Sequence, residues 1–152
     1  MNEVLREFRK SSLWMGFFAG TFIFMYLGVV LIIKYAFIYF EGFIPGFSKT
    51  ILRAVIYAVI AASVAFLFHL RKRRYSREAL NLHKGDIHEL VKHLVNTVIF
   101  LIALSEVPLI SGFFLFFLGA MYYDFYFMAA LTAALLYTSI PTVEFLEKRL
   151  SA

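Results

Sequence analysis

Three residues in an apolar run have the types and spacing for chemistry: Ser105, Glu106 and Pro108, within "FLIALSEVPLISGFF" from Phe100 to Phe114. A carboxyl group in such surroundings must be protonated, paired, or turned toward protein or water, because an ionised one facing hydrocarbon is costly. Pro108 has no N–H to offer the Leu104 carbonyl, and its ring opens that turn. The freed carbonyl, Ser105 and Glu106 are expected to form a small polar pocket in the kink, able to bind a proton, a water or a small cation. The competing reading is a protonated Glu106 that satisfies a bent helix or bonds a neighbouring subunit.

Histidines are the second candidates. His69 closes one apolar run, while His88 and His93 open another. Antiparallel neighbours would bring His69 and His93 to similar depth, which suggests axial haem ligands or the edge of a quinone site. His83, His88 and His93 are five residues apart, a rotation of about 140° per step on a helix, so they share no metal-binding face. No cofactor and no metal site is expected. Without cysteine there is no disulfide, thiolate site or Cys nucleophile. The sequence holds no Ser-His-Asp set, phosphate-cradling glycine loop or carboxylate pair at one depth, so no enzyme is expected.

The elements that must position these residues follow from composition. The 152 residues are 62% hydrophobic and only 16% charged, with 19 Phe and 9 Tyr, too little polar surface for a soluble domain of this size. Charges cluster between the apolar runs, the pattern of an all-α integral membrane protein. Leu13 to Ile33 is long enough to span roughly 30 Å of hydrocarbon and too long for a signal-peptide core, so it is expected to be retained. The segment "EGFIPGF" turns the chain, and Ile51 to Leu70 returns. From His93 to Ile140 one helix would be about 70 Å long, so the chain must reverse, and "GAMYYDF" is the place. Four transmembrane helices are predicted, near residues 13–33, 51–70, 95–118 and 125–140, arranged as two hairpins in a single domain. Asp86 and Glu89 form a capping-box pattern, Gly85 suits a helix C-cap, and Asp124 caps or turns the last hairpin.

Twelve of the 15 Lys and Arg lie at the termini or in the loop 71–92, and only Lys34, Lys49 and Arg53 lie on the other side. The positive-inside rule then places both termini and the basic loop in the cytoplasm of an inner (plasma) membrane. The basic block Arg71, Lys72, Arg73, Arg74 and Arg77 adjoins the membrane, where it attracts anionic lipid or an acidic partner; nucleic acid is not implied. On the second span Ala54, Ala58, Ala61, Ala62 and Ala65 recur at helical spacing and form a smooth face that permits close helix contact.

Residues Ala103 to Met121, "ALSEVPLISGFFLFFLGAM", resemble the carboxylate-bearing helix of rotary ATP synthase c subunits. In that family a small residue precedes a mid-membrane Glu and a small one follows about six positions later, places held here by Ser105, Glu106 and Gly112. The resemblance implies an ion-binding role for Glu106, with the alanine face standing in for the partner helix. The whole chain also resembles small four-span bacterial membrane proteins, which implies a fold and no activity. The function expected is a small membrane subunit that self-associates or joins a larger complex, with Glu106 binding a proton or cation. A purely structural or assembly subunit and a haem or quinone anchor are the alternatives.

Overall fold

The computed structural model describes residues 2–37, 39–44, 46, 48–82 and 85–150, and the regular elements among them are all helices. In chain order they are α1 (Asn2–Ala36), α2 (Lys49–Arg74), α3 (Arg77–Asn81), α4 (Ile87–Ser105), α5 (Val107–Gly119), α6 (Tyr122–Ser139) and α7 (Val143–Leu150). Three helical stretches are long and apolar enough to cross a membrane: α1, α2, and α4 with α5 taken as one. The predicted fourth span, α6, qualifies only together with α7, which bends away from it by 44°. α6 carries four tyrosines together with Asp124, Thr132 and Ser139, and these last three are buried.

A single apolar stripe organises the inner layer. Leu90, Leu94, Val98 and Leu101 on α4 are buried at three- and four-residue steps, and Leu109, Gly112, Leu115 and Phe116 continue the stripe on α5. The one-residue break at Glu106 leaves the stripe in register, so α4 and α5 act as one long element of roughly 50 Å. Against it lies α6, whose buried Phe125, Met128, Thr132 and Leu136 recur with the same period. The α5–α6 contact is the most extensive in the fold. It is close because Gly112 has no side chain: a Cβ there would lie 2.6 Å from the Met128 Cβ.

The reversal between α5 and α6 falls within the predicted "GAMYYDF" segment, and it is tight. Ala120 takes the left-handed conformation (φ 52°, ψ 37°) and its N–H donates to the Phe116 carbonyl at 2.8 Å, ending α5 as a C-terminal cap. Only Ala120 and Met121 separate the helices, so α6 starts three residues before the expected 125.

The two predicted hairpins are not both present. α5 and α6 form one, but α1 and α2 do not pair: α1 packs on α4, α5 and α6, whereas α2 packs on α4 and α5. The connection between them makes this possible by crossing the end of α5. The N–H groups of Phe43 and Ile44 donate to the Phe117 and Leu118 carbonyls at 3.0 and 3.1 Å, which satisfies acceptors the helix end leaves open. Pro45 and Phe47 of the predicted turn lie outside the described residues.

At the basic end a buried cluster joins the helix ends to α2 and α4 through Leu67, Val98 and Leu101. Leu5 and Phe8 of α1, Tyr75 and Leu80 around α3, and Leu146 and Leu150 of α7 bury one another there with Leu90 and Leu94. Both terminal helices therefore meet at the end of the molecule that carries Arg71–Arg74. Asp86 caps α4 as expected, accepting from the His88 N–H at 2.8 Å. Gly85 is not the cap of α3, which ends instead on Leu82.

Candidate functional site

Glu106 occupies the break between α4 and α5, in the third stretch long and apolar enough to cross a membrane. Its N–H still donates to the Ile102 carbonyl at 3.2 Å and its carbonyl accepts from Ile110 at 3.1 Å, so the backbone distortion is confined to one turn. Pro108 is buried in the first turn of α5, where a missing N–H is tolerated. The Oε1 atom of Glu106 is buried, with no hydrogen-bond partner among the described residues. A buried carboxyl oxygen in that state has unused capacity to bind something.

Ser105 does not share that pocket, contrary to expectation. Successive helical residues point about 100° apart, and the Ser105 hydroxyl faces α6. It lies 2.9 Å from the Ser139 hydroxyl, and the two oxygens sit 2.7 and 2.8 Å from the Leu101 and Leu135 carbonyls. Both serines are fully buried. This pair ties α4 to α6 and leaves Ser105 committed to packing.

The oxygen that sequence reading missed is Thr132. It is fully buried and its hydroxyl is also without a partner among the described residues. Gly112 meets Met128 and Ser105 meets Ser139 along the antiparallel pair, so Thr132 sits level with the start of α5, within one helical turn of Glu106 in height. No sequence signal marks it, because a threonine in an apolar helix ordinarily bonds its own preceding turn.

The alanine face is on the outside. Ala54, Ala58, Ala61, Ala62 and Ala65 are all exposed, while α2 uses Ile60 and Leu67 to pack on the bundle. The alanines therefore do not stand in for a partner helix inside the chain. Gly112 finds its neighbour on α6 instead.

Asp124 is not a surface turn residue. It is 6% exposed, accepts from Arg53 Nη2 at 2.7 Å, and accepts from the Tyr57 hydroxyl at 3.0 Å. Arg53 and Tyr57 are four apart, hence on one face of α2, and together they clamp the first turn of α6. The legible signal was an acid and an Arg, each in the first turns of helices that start at the same end and run parallel.

The imidazoles diverge. His93 Nε2–H donates to the Arg74 carbonyl at 3.1 Å and so caps the end of α2, whereas His69 is exposed. His83 lies outside the described residues, and among those described no group of three or more His, Cys, Asp or Glu is placed to hold a metal. In the basic block, Lys72, Arg73 and Arg77 are exposed and Arg71 and Arg74 half-buried, with Arg71–Arg74 in the last turn of α2, where cations complement the helix dipole. Tyr75 follows, buried to 1%, and burial pushes its phenol pKa up. No protein-family model, curated protein or solved structure matches the chain.

Proposed function

We propose that this is a multi-pass inner-membrane protein with both termini cytoplasmic, in which Glu106 is a protonatable carboxyl that binds a proton or small cation. One observation carries the reading: a carboxyl oxygen buried without a partner among the described residues, at the break between α4 and α5. The clustering of positive charge at the end where the termini meet supports the orientation. The likeness of Ala103–Met121 to the c-subunit helix supports the role of the Glu, while Ser105 and Gly112 serve α6.

Carbodiimide labelling in lipid, mapped by mass spectrometry across pH and sodium concentration, tests it. The expected result is labelling at Glu106 that fades as pH rises or as sodium is added, and that Glu106→Gln removes without loss of assembly. Absence of labelling at every pH rejects ion chemistry and makes Glu106 a packing group.

The exposed alanine face favours a second reading, an assembly subunit that self-associates or docks on another membrane protein through α2. Ala58→Trp and Ala62→Trp are then expected to shift the purified protein to a smaller species on native mass spectrometry. An unchanged mass removes α2 as the contact.

A further inference from the structure

The basic end holds a cleft of about 290 Å³ where α1, the end of α2 and the α6–α7 corner meet. Arg9 and Arg71 stand on its walls with Tyr137, Thr138 and Thr142. Among the described residues no carboxylate pairs with either guanidinium. Arg149 adds a third positive charge nearby, stacked 5.5 Å over the ring of Phe145, which also lines the cleft. Phe145 is held from another side by Tyr75, edge-on at 6.0 Å, so the apolar wall rests on the buried cluster of the basic end.

Leu13 completes the argument. It lines this cleft and also a neighbouring apolar groove on α1 formed with Lys10, Trp14 and Phe17. Trp14 and Phe17 are 56% and 64% exposed. A cationic, hydroxyl-bearing cleft thus continues into an open aromatic groove that runs along a membrane-length helix. That sequence of surfaces is complementary to one kind of molecule, an anionic headgroup with an acyl chain.

We propose that this cleft is a specific site for one anionic membrane phospholipid. Arg9 and Arg71 pair with its phosphate, the hydroxyls of Thr142 and Tyr137 hydrogen-bond the headgroup, and an acyl chain lies along Leu13, Trp14 and Phe17. The Thr142 oxygen accepts from the Phe145 N–H at 3.3 Å, a bond that does not use its O–H donor. The site differs from general attraction to the basic block, whose exposed Lys72 and Arg73 lie outside the cleft.

The test is native mass spectrometry of the delipidated full-length protein, titrated with phosphatidylglycerol or with phosphatidylcholine of the same acyl chains. Binding of a single phosphatidylglycerol per chain in preference to phosphatidylcholine is expected, undisplaced by millimolar inorganic phosphate. Arg9→Gln with Arg71→Gln is expected to weaken it about 30-fold, from about 1 kcal/mol per cation. Lys72→Gln with Arg73→Gln removes equal charge and is expected to leave it within about twofold. Arg9→Lys with Arg71→Lys keeps the charge and guards against a folding artefact, retaining most of the binding. Equal binding of the two lipids, an equal loss in the Lys72/Arg73 pair, or displacement by phosphate alone overturns the proposal.

Discussion

Replacing Arg53 by leucine is expected to destabilise the protein by about 2–4 kcal/mol, since it leaves the Asp124 carboxylate buried with one neutral donor, Tyr57. For a chain of this size that corresponds to a fall of roughly 5–15 °C in the unfolding temperature, readable from Trp14 fluorescence in detergent micelles. The reciprocal change should be milder. Arg53 is half exposed, 52% against 7% for Asp124, so in Asp124→Leu the freed guanidinium can reach water while the apolar replacement fills the buried site. The double substitution should recover much of the Arg53→Leu loss, because a pair replaced by apolar groups strands no charge. Equal stability of all three variants would mean that the contact between α2 and α6 contributes nothing. That outcome would leave α2 held only through α4 and α5.

A comparable loss is expected at Gly42. Its φ of +92° lies where side chains are strained, and a Cβ there would overlap the Leu118 carbonyl oxygen. Gly42→Ala is therefore expected to cost about 2–4 kcal/mol, from backbone strain and displacement of the loop together. The loop cannot shift alone, because Phe43 and Ile44 donate to the Phe117 and Leu118 carbonyls. Moving it uncaps α5 and loosens the route by which α2 reaches its side of the bundle. Hydrogen exchange should report this as faster exchange at the Phe43 and Ile44 amides. Gly46→Ala is the control: nothing lies within 4 Å of its added Cβ, so a change of under about 0.5 kcal/mol is expected. Similar behaviour of the two variants would show that the loop does not cap α5.

The candidate site was half legible. Glu106 and Pro108 stand out in sequence because a carboxylate and a helix breaker are both rare inside apolar runs, and the structure puts the helix break at that place. Ser105 was misassigned for a geometric reason. Adjacency in sequence separates side chains by about 100° on a helix, so its hydroxyl met Ser139 rather than Glu106. Thr132 and the Asp124 clamp depend on which helices touch, with Asp124 distant from both Arg53 and Tyr57 in sequence.

By itself the sequence determined what hydrophobic length and charge clustering determine: an all-helical chain, three stretches long and apolar enough to cross a membrane, a reversal within residues 119–125, and one end of the molecule strongly basic. These are local properties, set by a stretch's own transfer free energy and turn chemistry. The tertiary structure alone decided that α1 and α2 part around the inner helices, that α2 turns its alanines outward, and that Asp124 is buried in a clamp. Apolar helices are interchangeable neighbours to first order, since hydrocarbon solvates any of them as well as another helix does. Which one packs where is settled by close steric fits and a few directed polar contacts, here Gly112 on Met128, Ser105 on Ser139 and Arg53 on Asp124.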